Sequence, residues 1–133
     1  MNAVVVDTDV VSFIFKGHAT GALYEHDLDG HTLMISFMTV AELERWAIQK
    51  QWGEGRRRWL DLHLDRFVVV PFTRRMCTLW AEATVTARSR GRRIECADAW
   101  IAATAMQYDV PLVTHNRADY LGVPDLKLIS HED

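Results

Sequence analysis

Short apolar runs rich in valine alternate with segments of helical periodicity along the 133 residues of this chain. Strands buried on both faces of a parallel sheet have this continuous apolar character, and the connections between parallel strands are usually helices. The pattern therefore predicts an α/β fold with a parallel sheet covered on both faces. The predicted strands are Ala3–Val6, Leu33–Ile35, Phe67–Val70, Leu112–Val113 and Leu126–Ile129. The predicted helices lie around residues 40–51, 57–65, 76–87 and 97–108.

Length and composition exclude several classes of protein. A chain of 133 residues is expected to form one domain, residues 1–133, and 49% hydrophobic residues exclude a wholly disordered chain. No apolar run approaches the roughly 20 residues of a membrane helix, and Asp7 and Asp9 interrupt the first run, which excludes a signal peptide. We therefore expect a cytoplasmic protein. Cys77 and Cys96 form no disulfide framework and are interpreted as small buried residues.

Four acids follow predicted strands or begin the helix that leads to one. Asp7 directly follows the first strand, and Glu42 lies shortly after the second. Asp98 falls in the first turn of the helix that leads to the fourth strand, which is itself followed by Asn116 and Asp119. Ligands of parallel α/β sheets gather at the carboxyl ends of the strands. These side chains are therefore expected to converge at one edge of the sheet.

Each acid also has a purely structural explanation. Asp7 suits the N-cap of a helix, and Thr39 with Glu42 matches a capping box. Asp98 near a helix start is favoured by the helix dipole, and Asp119 is a common type of turn residue. Taken singly, none of the four identifies a functional site.

Taken together, the acids point to a divalent metal ion. Asp98 shares a helical face with Ile101, Ala102 and Ala105, so its carboxylate is expected at the rim of the core. Clustered half-buried carboxylates raise one another's pKa values unless a cation is present. The only lysines lie elsewhere, at positions 16, 50 and 127. Oxygen ligands favour Mg²⁺, or Mn²⁺ in its place, over Zn²⁺. The histidines have no metal-ligand spacing, and His115 is interpreted as a loop or substrate-facing residue.

Four segments in register resemble the motifs of PIN-domain ribonucleases, and the chain's size resembles the VapC-type toxins of type II toxin–antitoxin pairs. The segments are Val4–Val11, Ser36–Leu43, Asp98–Ala105 and Leu112–Tyr120. The resemblance implies a three-layer α/β/α domain with a parallel sheet of about five strands and Mg²⁺-dependent cleavage of RNA. It also implies a cognate VapB-like antitoxin that blocks the site, and a homodimer.

The resemblance also assigns roles to individual residues. It implies that Asp7, Glu42 and Asp98 are the central acids and that Asp119 is the fourth. Asn116 corresponds to the polar position before that acid, where some members of the family place the acid itself. Many relatives carry a neutral residue at the position of Asp9. Two readings of Asp9 follow, an additional acid around the ion or a solvated residue of the first helical turn, and the second is favoured. Glu95 is open to the same two readings.

The hypothesis for catalysis is that Asp7 and Asp98 hold the principal ion, while Glu42 and Asp119 orient water or recruit a second ion. Candidate donors that orient these carboxylates are Thr8, Thr39, Thr114 and Asn116. Candidate phosphate contacts come from the Arg56–Arg58 and Arg88–Arg93 clusters, namely Arg56, Arg57, Arg58, Arg92 and Arg93. Solvated helix ends explain these arginines equally well.

Aromatic residues suggest further contacts. Trp52 and Trp59 flank the Arg triplet and are candidates for stacking on bases or packing on a partner. Trp80 lies on an apolar helical face and is expected in the core. A groove between the early helices, involving Phe13–Phe15 or Trp46, would suit an antitoxin helix.

Two other functions compete with the nuclease. Asp7-Thr8-Asp9 after a strand is similar to the opening motif of haloacid-dehalogenase-like phosphatases, in which Asp7 would be the nucleophile and Asp9 the acid and base. That chemistry requires a downstream Lys near the phosphate, and none is suitably placed. The other alternative is a non-catalytic PIN-like module that binds RNA or a partner.

Overall fold

The computed structural model describes residues 2–132, in which five strands alternate with seven α-helices. The strands are β1 (Ala3–Val6), β2 (Thr32–Ser36), β3 (Val68–Val70), β4 (Leu112–Val113) and β5 (Leu128–Ile129). The helices are α1 (Thr8–Phe15), α2 (Ala19–Ala22), α3 (Glu25–Leu28), α4 (Phe37–Gln49), α5 (Glu54–Leu64), α6 (Arg74–Ser89) and α7 (Cys96–Tyr108). A 3-10 turn, Arg117–Tyr120, lies between the last two strands.

The strands form one parallel sheet in the order β3-β2-β1-β4-β5. The chain builds outward from β1 through β2 to β3, then crosses back and adds β4 and β5 on the other side. The order therefore reverses between β1 and β4, which pair with Val6 opposite Val113. This is the switch point at which parallel sheets open a crevice for ligands.

Alternating residues of β1 belong to two separate cores, one on each face of the sheet. Ala3 and Val5 pack in the core covered by α6 and α7, whereas Val4 and Val6 pack in the core covered by α1, α3, α4 and α5. All four side chains are buried, so β1 is the centre of the structure. The predicted α/β/α layering with a five-stranded parallel sheet is confirmed.

Several local predictions differ from the structure. Helices α2 and α3 were not predicted, because four residues are too few to show a period. The last strand begins at Leu128 rather than at Leu126, since the chain is still turning after Pro124. The prediction that both cysteines are buried was wrong: Cys96 is exposed at the start of α7, and Cys77 is half-buried.

Within residues 2–132, no helix has both the length and the apolar character needed to cross a membrane.

Candidate metal site in the acidic cleft

A cleft of about 420 Å³ opens at the carboxyl ends of β1 and β4, at the switch point of the sheet. All four predicted acids line it. The full lining consists of Asp7, Thr8, Asp9, Ser12, Glu42, Leu43, Arg45, Trp46, Gln49, Asp98, Asn116 and Asp119. The tertiary structure thus brings together acids that are up to 112 residues apart in sequence.

Asp7 is the most buried of these acids and the most completely hydrogen-bonded. It is the N-cap of α1, where its Oδ1 accepts a hydrogen bond from the Thr8 amide at 2.7 Å. Its Oδ2 accepts from the Thr114 hydroxyl at 2.8 Å and from the Tyr120 hydroxyl at 2.9 Å. Asp7 therefore fulfils the capping role and also lies at the floor of the cleft.

Glu42 is held in the cleft by a threonine of another helix. Thr8 donates its hydroxyl proton to Glu42 Oε1 at 2.7 Å, and the Thr8 oxygen lies 2.9 Å from the Thr39 hydroxyl. The capping box predicted from Thr39 and Glu42 is wrong, because α4 begins earlier, with Ser36 as its N-cap. Glu42 lies in the second turn of α4, where its side chain reaches across to α1.

Tyr120 connects Asp98 to Asp7. The Tyr120 oxygen lies 3.3 Å from Asp98 Oδ1 and 2.9 Å from Asp7 Oδ2, so one buried hydroxyl lies between the two carboxylates. Burial and the neighbouring carboxylates raise the pKa of the Tyr120 phenol, which keeps it a neutral donor. In the sequence analysis Tyr120 is only the last residue of the fourth segment, and its role as a bridge depends on the fold.

No sequence pattern marks this tyrosine as a link between two distant acids, since the contact depends on the three-dimensional approach of α7 and the 3-10 turn.

The cleft is electrostatically unfavourable as it stands, because it gathers carboxylates away from water. Burial raises the pKa of Asp7, although its three hydrogen-bond donors oppose the shift. Burial, and then repulsion from Asp7, Asp119 and Glu42, raises the pKa of Asp98 to about 7. The salt bridges found among residues 2–132 involve none of these acids. The site therefore carries negative charge that a bound cation would neutralise.

Asp9 also belongs to the cleft, so its interpretation as a solvated helix residue was wrong. It is half-buried, and its Oδ2 accepts hydrogen bonds from the His115 amide at 3.1 Å and from Asn116 Nδ2 at 3.0 Å. Burial, and then repulsion from Asp7, raises the pKa of Asp9 to about 7. Asp9 thus ties α1 to the loop after β4, because its first-turn position lies beside that loop. Glu95, by contrast, is exposed at the N-cap of α7 and is absent from the cleft lining.

The fourth acid and the remaining predicted polar residues lie on the loop after β4. Asp119 is exposed on the 3-10 turn, at the mouth of the cleft. Thr114 accepts a hydrogen bond from the Asn116 amide at 3.1 Å while it donates to Asp7. His115 Nδ1 is hydrogen-bonded to the Tyr24 hydroxyl, 2.6 Å away. His115 does not line the cleft.

The donors in the cleft fit a hard divalent cation such as Mg²⁺ or Mn²⁺. They are oxygen atoms of carboxylates, hydroxyls and an amide, and no Lys, His or Cys lines the cleft. Within residues 2–132, however, no three His, Cys, Asp or Glu side chains are grouped closely enough to chelate one ion. An ion here would therefore be held partly through water, as is usual for Mg²⁺.

The arginines predicted to contact RNA do not line the cleft. Arg56 lies over the rings of Trp52 and Phe15, at 4.7 and 5.2 Å, and Arg57 forms a salt bridge with Glu44 at 3.7 Å. The exposed residues Arg58, Arg92 and Arg93 also lie outside the cleft. The cation that does line it is Arg45, which sequence analysis missed. Its signal was its position three residues after Glu42, on the same helical face.

The aromatic residues divide between core and surface. Trp80 packs against the core and stacks on Trp100, with ring centroids 5.3 Å apart, as expected. Trp59 is exposed. The expectation of an open groove that includes Phe15 was wrong, because Phe15 is 4% exposed and packs against Trp52.

The fold and the cleft define a three-layer α/β protein with an acid-lined crevice at the switch point of a parallel sheet. The family model of the PIN domain matches residues 4–120, and the chain belongs to this family. The family resemblance found in the four sequence motifs is therefore confirmed.

Similar proteins carry names that describe ribonucleases. Ribonuclease VapC1 of Haemophilus influenzae is 27% identical over 124 residues, which cover 92% of each chain. Ribonuclease VapC4 of Mycobacterium tuberculosis is 27% identical over 103 residues, which cover 76% of this chain and 78% of the relative.

Solved structures share the whole fold. VapBC2 from Rickettsia felis, bound to a DNA fragment from its promoter, superposes with a TM-score of 0.86 at 22% identity, covering 98% of this chain and 99% of the other. VapBC-1 from nontypeable Haemophilus influenzae superposes with a TM-score of 0.82 at 26% identity, covering 96% and 97%.

Proposed function

We propose that this chain is a Mg²⁺-dependent endoribonuclease of the VapC type, which hydrolyses RNA phosphodiester bonds and is neutralised by a cognate antitoxin. The observation that carries the proposal is the convergence of Asp7, Glu42 and Asp98 in one cleft, with Asp119 at its mouth. Membership of the PIN family and the ribonuclease names of the relatives support it.

The acids have distinct roles in this proposal. Asp7 and Asp98 would hold Mg²⁺, for which Mn²⁺ can substitute, because the Tyr120 hydroxyl keeps their oxygens directed to a common point. When bound, the ion supplies a Lewis acid that neutralises charge on the phosphate and lowers the pKa of a coordinated water. Glu42 and Asp119 orient the attacking water and accept its proton, or recruit a second ion.

The surrounding polar groups keep the acids in position. Thr8 orients Glu42, and Thr114 orients Asp7, each through a hydroxyl hydrogen bond. Thr39 supports Thr8, and Asn116 is held between Thr114 and Asp9. Because such donors fix the direction of a ligand's lone pairs, they contribute to metal affinity without touching the ion.

The partners belong to the same proposal. The solved relatives are VapBC complexes, some of them bound to DNA, and a VapB-like antitoxin is proposed for this chain by similarity. A homodimer is proposed on the same ground. Purification of the chain with the product of a short neighbouring gene would test the first, and light scattering would test the second.

The decisive experiment measures RNA cleavage by the purified chain with Mg²⁺, with Mn²⁺ and with EDTA. Asp7→Asn and Asp98→Asn remove one charge each without changing side-chain size, and we expect each to lower the cleavage rate by about 100-fold or more. Asp61→Asn is the matched control, because Asp61 is an exposed acid on α5 outside the cleft. Circular dichroism would establish that every variant is folded.

Two results would contradict the proposal. Cleavage that persists at full rate in EDTA, or in both cleft variants, would show that the acids do not act through a metal ion. RNA binding without cleavage under every condition would instead favour a non-catalytic module. The phosphatase alternative lacks the lysine that its chemistry requires, since no Lys lines the cleft beside Asp7.

A further inference from the structure

One face of α4 forms a wall that extends the acidic cleft. Glu42, Arg45, Trp46 and Gln49 are spaced at offsets of three, four and seven residues, so they lie on one helical face, and all four line the cleft. On the adjoining face of α4, Leu43 and Ala47 are buried in the core. The wall therefore runs from the acids toward the carboxyl end of the helix.

The part of this wall next to Glu42, at Arg45 and Trp46, is positively charged, in contrast to the acids. Arg45 is exposed and is the one Lys or Arg in the cleft lining. Lys16, at the C-cap of α1, places its Nζ 4.3 Å from the centroid of the Trp46 ring. Neither cation takes part in the salt bridges found among residues 2–132. Both are therefore available to an anionic ligand.

The chemistry of the wall matches a nucleotide that adjoins the acidic site. A phosphate group favours an unpaired guanidinium, an indole ring packs against a base or sugar, and an amide such as that of Gln49 bonds to a base edge. The cleft, at about 420 Å³, is in the size range of a small-ligand pocket and is large enough for a nucleotide beside the acids. A helical protein partner would instead require a continuous apolar face, whereas this wall is mostly polar.

We propose that Arg45, Trp46 and Gln49 bind the nucleotide next to the scissile phosphate. This inference rests on the proposed function, because it takes the acids as the place where the phosphodiester is cut. Arg45 contacts the adjoining phosphate, Trp46 packs on its sugar or base, and Gln49 reads the base edge.

The test compares Arg45→Ala with the parent chain on a short oligoribonucleotide. We expect Arg45→Ala to raise KM about tenfold, the effect of losing one charged hydrogen bond, with kcat nearly unchanged. In the Asp98→Asn background, the salt dependence of binding should weaken by about 0.7 in slope, because one phosphate contact is lost. Arg45→Lys keeps the charge and should restore the slope. Arg75→Ala, on α6 outside the cleft, is the matched control.

The outcomes separate this inference from the function on which it rests. If the parent chain cuts no RNA, the proposed function fails and the inference fails with it. If the parent cuts RNA but Arg45→Ala matches it in KM and salt slope, only the inference is overturned. An Arg45→Ala effect on kcat alone also overturns it.

Discussion

Replacing Asp98 with Asn should stabilise the metal-free protein at alkaline pH, although we expect the same change to lower the cleavage rate. Burial and neighbouring carboxylates raise the pKa of Asp98 from 3.8 to about 7, so its ionised form is disfavoured in the folded state. Asn has the same shape and carries no charge, and its side chain can occupy the same position beside the Tyr120 hydroxyl. The variant therefore removes repulsion without creating a cavity.

The sign and size of the effect follow from proton linkage. Between about pH 4 and pH 7 the folded state holds more protons on this carboxyl than the unfolded chain does, so the free energy of unfolding falls as pH rises. A shift of this size corresponds to about 4 kcal/mol once the group is fully ionised. Because Asp98 is half-buried, solvent screens part of this repulsion, and we expect Asp98→Asn to gain about 2 kcal/mol at pH 8.

Urea unfolding in EDTA at pH 5 and pH 8 measures this difference. At pH 8 the midpoint of Asp98→Asn should exceed that of the parent chain by about 1 M, and at pH 5 the difference should shrink. Mn²⁺ should stabilise the parent at pH 8 and have much less effect on the variant. Asp61→Asn, an exposed acid, controls for the general loss of charge. The reasoning is refuted if Asp98→Asn is less stable than its parent at pH 8 in EDTA.

Three further substitutions test other parts of the structure. Tyr120→Phe removes a hydrogen bond that lowers the pKa of Asp7. In a plot of cleavage rate against pH, the acidic limb should therefore move to higher pH, and an unchanged profile would contradict the bridging role of Tyr120. Gly122→Ala should cost about 2 kcal/mol in urea unfolding, because the new Cβ would lie 2.5 Å from the Arg92 carbonyl oxygen, and a neutral result would disprove that close approach. Tyr24→Phe removes a buried hydroxyl that is hydrogen-bonded to the loop after β4 and to the chain after β5. The free energy of unfolding in urea should fall by about 1 kcal/mol, and a stability equal to that of the parent would show that these bonds contribute nothing.

Much of the fold was predictable because strands and helices bury their side chains with different periods. The runs Ala3–Val6 and Leu112–Val113 are strands with the predicted bounds, and α7 begins one residue before its prediction. The position of each acid relative to a strand end then predicted the cleft, since parallel strands end at the same edge of the sheet. The four acids accordingly line one cavity.

Other features of the site were not predictable from local patterns. Asp9 looked like a solvated helix residue, and only the loop after β4, more than 100 residues away, supplies the donors that hold it. The clustered arginines at 56–58 were predicted to contact RNA, but they lie outside the cleft, and the solitary Arg45 lines it. The capping box at Thr39 and Glu42 matched a short pattern, but Thr8 of another helix binds the glutamate instead.

The sequence by itself determined which segments become buried strands and which acids follow them. Both depend on the spacing of apolar residues and on the order of residues along the chain, which are local properties of the polypeptide. Tertiary structure decided which groups meet across the cleft: the Tyr120 hydroxyl between Asp7 and Asp98, and the cationic part of the wall on α4. Such contacts depend on the register of β1 with β4 and on the packing of α4 beside α1, which arise only when distant segments bury their apolar faces together.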